Sequence, residues 1–204
     1  NRDHRQRSAS GMWLYPVSLP HGGTSIMLKT LLSNVCVNDC RYCPFRHTQD
    51  TRRCTLTPEE VARIFLDFSR RLQLHGLFLS SGVIRDADHT MAKMNAVAEI
   101  LRRRHRYRGY IHLKVIPGAS DAAIEQAVNL ASAVSLNVET PTRTAFAHLC
   151  RSKNFDRDIV RPVKLISKLT GKGMPRSRVK QTTQFIVGAS TETDREIVTA
   201  SNPL

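Results

Sequence analysis

Cys36-Val37-Asn38-Asp39-Cys40-Arg41-Tyr42-Cys43 places three cysteines within eight residues, at the spacing C-x3-C-x2-C. The stretch follows directly on an apolar run with strand character. Thiolates this close in sequence converge on one centre. Two centres suit them: an iron–sulfur cluster held by three thiolates, or a structural zinc completed by a fourth ligand. His47 and Cys54 lie near enough in sequence to be that fourth ligand.

On the N-terminal side, Ser25 to Ser33 suits a mostly buried strand that ends just before Cys36. Asn1 to Ser10 is polar and basic without periodicity. A short apolar patch at Trp13, Leu14, Tyr15 and Val17 is punctuated by Pro16 and Pro20, and His21-Gly22-Gly23 reads as a turn. Residues 1–23 are therefore expected to be a leader and cover segment, with Trp13 and Tyr15 lying over the lower end or edge of the domain. Residues 24–204 are expected to form one core domain, lacking its C-terminal part.

On the other side, Thr57-Pro58-Glu59-Glu60 is a helix start with a capping box, and Val61, Ile64, Phe65 and Phe68 continue it at helical spacing. Gly76 to Gly82 is a strand ending in small residues. A helix from Asp88 or Thr90, a strand over Tyr110 to Pro117 and a helix from Ser120 or Asp121 to Leu130 follow. Then come a strand over Ala133 to Thr140, a short helix over Thr142 to Leu149 and a basic helix from Phe155 that contains Pro162. A fifth strand over Thr182 to Gly188 and a helix near Thr193 close the chain. Strand then helix, five times, predicts a parallel α/β fold, here a partial (β/α) TIM-like barrel. Such a fold collects the strand C-terminal ends on one face, where barrel sites lie. The cysteine loop, Ser80-Ser81-Gly82, Asn137 and Glu139, and Gly188 with Glu192 all fall at those ends.

Composition narrows the class. With 41% apolar residues in 204 the chain can bury a core of its own. No run approaches the roughly 20 apolar residues of a membrane span. Five cysteines, three of them crowded together, make a poor disulfide framework and a better reduced ligand set, so a cytoplasmic setting is expected. Cys54 and Cys150 read as packing or incidental thiols. Lysine and arginine number 31 against 17 acidic residues, a net charge of +14. An excess of this size points to a polyanionic partner. The Arg102–Arg108 block ends a helix and reads as solvated surface, whereas the 151–180 segment, with ten basic residues from Arg151 to Lys180, is the expected phosphate-contacting surface.

Taken together, these residues resemble the radical S-adenosylmethionine (radical SAM) enzymes, whose fingerprint is C-x3-C-x2-C after the first strand of a partial barrel. An aromatic residue precedes the third cysteine there, and Tyr42 holds that place. The resemblance implies that Cys36, Cys40 and Cys43 hold a 4Fe–4S cluster with one iron left open to S-adenosylmethionine. Reductive cleavage of that cofactor would give a 5′-deoxyadenosyl radical. Ser80, Ser81 and Gly82 sit where the family has a small-residue motif meeting the methionine amino group. Asn137-Val138-Glu139-Thr140 resembles the Asn-Leu-Glu-Thr strand end of biotin- and lipoyl-synthase-like members. Gln184 to Thr193 resembles the fifth-strand pattern, in which the backbone of Ile186 would flank the adenine. Ser190-Thr191 departs from the Pro-Gly or Gly that the family usually has before its Glu, which leaves that loop's shape open.

Within the family, Leu31-Leu32-Ser33-Asn34-Val35-Cys36, Cys43-Pro44-Phe45-Arg46, Gly76 to Val83 and Tyr110 to Gly118 resemble the DNA modification and repair radical SAM proteins. That subgroup typically carries a helix-hairpin-helix region further on. The expected partners are nucleic acid, with DNA favoured, and an electron donor such as flavodoxin or ferredoxin. RNA or a small molecule as substrate, and a non-catalytic zinc-containing nucleic-acid-binding module, stand as the alternatives.

Overall fold

The computed structural model describes residues 6–7, 13–19 and 22–201. The leader expected over Asn1 to Ser10 therefore lies almost wholly outside the described residues, as do Pro20, His21 and the side chains of Trp13 and Tyr15. Seven strands pair in chain order: β1 (Gln6–Arg7), β2 (Trp13–Ser18), β3 (Thr24–Leu31), β4 (Gly76–Ser80), β5 (Tyr110–Lys114), β6 (Ala133–Ser135) and β7 (Lys180–Thr182). β1 to β3 are antiparallel, and β3 to β7 are parallel. The sheet thus has the five parallel strands expected, and β2 adds an antiparallel neighbour to β3 where the sequence suggested only an apolar cover. Pro16 disguised it, because proline is tolerated only where a strand can spare an N–H.

The helices are α1 (Pro58–Leu72), α2 (Ala87–Glu99), α3 (Asp121–Leu130), α4 (Arg143–Leu149), α5 (Arg161–Thr170) and α6 (Asp194–Ser201). Each of the first four starts at a side chain that satisfies a backbone donor of the opening turn. At α1 the Thr57 hydroxyl accepts the Glu60 N–H while Glu60 accepts the Thr57 N–H at 2.7 Å. Such a cap contributes about 1 kcal/mol. α2 begins earlier than Asp88: Asp86 is its cap, accepting from His89 N–H at 2.7 Å. Asp88 is instead taken up by the Ser120 N–H at the start of α3, also at 2.7 Å. The basic helix is divided. Phe155–Val160 is a π-helical stretch, and α5 restarts at Arg161 with Pro162 in its first turn, where no N–H is needed.

Alternation along the strands separates two faces. Leu28, Leu77, Leu79, Ile111, Leu113 and Val134 are buried in one core with Phe65, Met91, Met94, Val97, Ile124, Val163 and Ile166 of the helices. The opposite face carries Lys29, Phe78 and His112 in register, with Lys114 beside Ser135 one step further on. This polar inner face leads to the strand C-terminal ends.

The fourth and fifth strands are shorter than expected. Beyond Ser135 the ladder is interrupted because the Thr183 hydroxyl donates to the Leu136 carbonyl and accepts the Val138 N–H. Pairing resumes at one bridge, Glu139 with Phe185, where Glu139 takes a left-handed φ of 70°. The expected strand over 133–140 is therefore two short segments, and in place of the one over 182–188 the chain pairs at 180–182 and again at Phe185, with a hydroxyl wedge between.

Among the described residues no helix is long and apolar enough to cross a membrane. The Arg102 block is only partly solvated surface. The Arg102 guanidinium turns in to the carbonyls of Leu130, Tyr107 and Gly109 and to the Ser132 hydroxyl, stapling the end of α2 to the strands beside it.

Candidate iron–sulfur and cofactor site

Cys36, Cys40 and Cys43 border one cavity at the C-terminal ends of β3 to β6. Tyr42, Ser80, Ser81, Gly82, Lys114, Asn137, Glu139 and Lys153 line the same space. Of the ten residues singled out from the sequence, only Ile186 is not in its wall. Ile186 sits behind it, donating its backbone N–H to the Glu139 carbonyl at 2.7 Å.

The cysteine loop has little regular structure, so other groups hold it. Arg53 is the principal one. Its guanidinium donates to the carbonyls of Asn34 (2.5 Å) and of Phe45, Arg46 and Gln49 (2.9 Å each). Asn34 closes the loop from the other side, accepting Cys54 N–H at 2.7 Å and donating to the Arg52 carbonyl at 2.8 Å. The β4 end meets the loop at Gly82. A Cβ there would stand 2.2 Å from the Val35 carbonyl oxygen and 3.2 Å from Cys36 Cβ, so only glycine fits.

Across the cavity, the Tyr42 hydroxyl donates to Glu139 Oε1 at 2.8 Å. Burial, then the facing Glu139 carboxylate, pushes the Tyr42 hydroxyl far above its ordinary range, so it stays a donor. Asn137 Nδ2 reaches Glu139 Oε2 at 3.5 Å, and Lys114 Nζ donates to Asn137 Oδ1. Burial lowers Lys114 to about 8, against the opposing pull of Glu139.

The three thiols differ in surroundings. Burial raises Cys43, whose sulfur accepts the Phe45 N–H at 3.4 Å. Cys40 is held below the ordinary thiol range by the Cys150 thiol 3.5 Å away and, against burial, by the Lys153 ammonium 3.2 Å away. Cys150, read from sequence as a packing or incidental thiol, is buried in the core and lies against the central cysteine. Cys54 is exposed and lines an adjoining cavity with Lys29, Phe45 and Phe78. His47 turns Nδ1 to the Asn38 carbonyl at 3.2 Å.

Whether an iron–sulfur group and S-adenosylmethionine suit these residues is decided by the donor set. Three thiols share a wall with small residues, and the buried Ser81 hydroxyl there has no hydrogen-bond partner. A buried polar atom without a partner is uncommon, and this one lies in the wall that the three thiols share. The donors fit. Among the described residues no three His, Cys, Asp or Glu side chains are gathered tightly enough to hold a single metal ion.

Sequence reasoning missed Arg53, Lys153 and Cys150. Arg53 carried only the weak signal of an arginine in a loop, and the other two lie more than 100 residues from the cysteine they touch.

Comparison with known proteins agrees with this fold. The model of the radical SAM superfamily matches residues 30–202. The chain belongs to the radical SAM superfamily, whose members are enzymes that use a 4Fe–4S cluster and S-adenosylmethionine. Its structure is similar to the maturase of the FeFe-hydrogenase, HydG (TM-score 0.65, 17% identity, 86% of this chain and 37% of that one). It is similar also to methylornithine synthase, PylB (0.64, 16%, 81% and 46%). A third is the radical S-adenosylmethionine methyltransferase TsrM from Kitasatospora setae, solved with cobalamin and a 4Fe–4S cluster bound (0.61, 14%, 88% and 34%). At these identities the likeness is one of fold, and the chain spans less than half the length of each. No curated protein matches the chain in sequence.

Proposed function

We propose that Cys36, Cys40 and Cys43 hold a 4Fe–4S cluster, and that Tyr42, Ser80, Ser81, Gly82, Asn137, Glu139 and Ile186 seat S-adenosylmethionine beside it. The observation that carries this reading is the cavity shared by the three thiols and four strand ends, with the Ser81 hydroxyl lacking a partner. When bound, the cluster supplies the electron for reductive cleavage of S-adenosylmethionine to a 5′-deoxyadenosyl radical. The chain's own residues orient and shield. Tyr42 fixes the Glu139 carboxylate, Asn137 braces its other oxygen, and the Ile186 N–H anchors the backbone beneath it. Gly82 lets the β4 end come close to Cys36. Anaerobic reconstitution of the full chain with iron and sulfide tests the assignment: a brown protein with about four irons per chain is expected. Alanine at Cys36, Cys40 or Cys43 should abolish uptake, and alanine at Cys54 should not. A colourless protein holding one zinc would reject the reading.

The finer reading is a nucleic-acid substrate, with DNA favoured, an electron carrier such as flavodoxin or ferredoxin, and a cytoplasmic setting. Its support is the net charge of +14 and the residues it falls on. The 151–180 segment divides between the two ends of the sheet. Arg151 and Arg157 follow β6 on the cavity side. Lys172, Arg176, Arg178 and Lys180 are exposed before β7, whose first residue pairs with Ala133 at the start of β6. The first group flanks Lys153, which lines the cavity, so that group is the one proposed to meet phosphates. Binding to duplex DNA should weaken steeply with salt and exceed binding to RNA of equal length. Equal affinities, or none at low salt, would move the substrate to RNA or to a small molecule.

A further inference from the structure

We propose that Lys153 is a positioning residue acting through Cys40: it donates to the Cys40 sulfur and raises the electron affinity of the iron–sulfur group held there. This rests on the assignment of Cys40 as a cluster ligand. Lys153 Nζ lies 3.2 Å and Cys150 Sγ 3.5 Å from Cys40 Sγ. Lys153 and Cys150, whose thiol donates to Asp39 Oδ1 at 3.2 Å, lie on one four-residue segment that reaches the cysteine loop across more than 100 positions of sequence.

That segment is fastened in place. Asp39, the residue before Cys40, accepts the N–H groups of Arg151 (3.1 Å) and Ser152 (3.0 Å) and the Ser152 hydroxyl (2.8 Å) on Oδ1. The Ser152 hydroxyl also reaches Asn38 Oδ1 at 3.1 Å, and Arg41 N–H donates to the Leu149 carbonyl at 2.8 Å. Lys153 is therefore delivered to the sulfur by a bracket built on the cysteine loop itself. It lines the cysteine cavity, and among the described ion pairs within 4.0 Å none joins Lys153 to a carboxylate. A cation withdrawn from water is costly unless an anion answers it, and the nearest acceptor here is a sulfur that becomes a thiolate on binding iron. Within the basic 151–180 segment, Lys153 is the residue turned away from a polyanion and towards the cluster.

Hydrogen bonds to ligand sulfur are among the levers that set a cluster's potential, because reduction adds negative charge that the donors stabilise. Removing a charged donor should make reduction harder. The test is a redox titration of the reconstituted full chain without S-adenosylmethionine, followed by the EPR signal of the reduced cluster. Lys153→Met keeps the length and removes the charge. Its midpoint should fall by about tenfold in the reduction equilibrium, which is about 59 mV for one electron, with iron content unchanged. Lys153→Arg should restore most of the shift, and Lys153→Gln, which removes the charge and keeps a polar donor, should shift in the same direction. Should Lys153→Met not assemble a cluster, the Lys153→Gln titration still decides. A midpoint unmoved in loaded Lys153→Met or Lys153→Gln would overturn the proposal, as would an unmoved midpoint with weakened S-adenosylmethionine binding, which would assign Lys153 to that ligand. A wild-type chain that takes up no iron would instead reject the underlying assignment.

Discussion

Tyr42 and Glu139, 97 positions apart in sequence, are joined by a hydrogen bond of 2.8 Å from the phenol to Oε1. It ties the cysteine loop to the strand end opposite. Glu139 is buried and has a left-handed backbone, a conformation kept only where its surroundings hold it. A double-mutant cycle with Tyr42→Phe and Glu139→Gln, read by urea unfolding, should give a coupling of about 1.5–3 kcal/mol, the range for a hydrogen bond to a charged group. A coupling near zero would mean that the two sides of the cavity are not joined there.

Arg53 is expected to be as necessary for iron uptake as a ligand, although it touches none. Its planar fork meets four carbonyls at once, and lysine cannot reproduce that geometry. Arg53→Ala and Arg53→Lys should both speed hydrogen exchange in residues 43–49 and reduce iron content. Unchanged exchange in both variants would remove Arg53 from the account.

Gly82 makes a sharper steric prediction. An alanine Cβ at 2.2 Å from the Val35 carbonyl forces the backbone before Cys36 to move. Gly82→Ala should leave the helical circular dichroism in place, destabilise the chain by about 1–3 kcal/mol as overpacking does, and impair iron uptake. Gly173→Ala is the control remote from the site: no atom lies within 4 Å of the added Cβ, but a φ of 86° disfavours a side chain, so stability should fall while iron uptake is kept.

His112 sets a pH dependence. Burial, then the nearby charges of Lys114 and Lys29, lowers its folded pKa to about 4, and its ring accepts or donates at Ser135 Oγ, 2.8 Å away. The unfolded chain, with an ordinary histidine, binds the proton first as pH falls. Stability is therefore unaffected by this group above about pH 6.5 and declines between about pH 6.5 and 4, by about 3 kcal/mol in all. Urea unfolding at pH 7 and pH 4.5 should show the decline in the wild type and a smaller one in His112→Asn. Equal declines would place the effect elsewhere.

Local signals read well from this sequence, and contacts between distant segments did not. The capping box at Thr57, the small residues ending β4 and the spacing of the three cysteines are each written within a few residues, and each is where the pattern put it. Asp86 is hidden in the sequence because Asp88 and Thr90, just beyond it, read as equally good starts, and only the Ser120 N–H reveals that Asp88 is otherwise engaged. The break after Ser135 depends on Thr183, a residue on the neighbouring segment that periodicity in either strand does not register. Arg53 and Lys153 read as surface charge because nothing local shows that four carbonyls, or a sulfur, await them.

Cys36, Cys40 and Cys43 are proposed to make this chain a reductant-driven S-adenosylmethionine cleaving enzyme. That is tested most directly by chromatography of 5′-deoxyadenosine after dithionite and S-adenosylmethionine are added anaerobically to the reconstituted full chain. 5′-Deoxyadenosine is expected from the wild type and none from Cys40→Ala. A wild type loaded with about four irons that releases no 5′-deoxyadenosine, or equal release from Cys40→Ala, would contradict it.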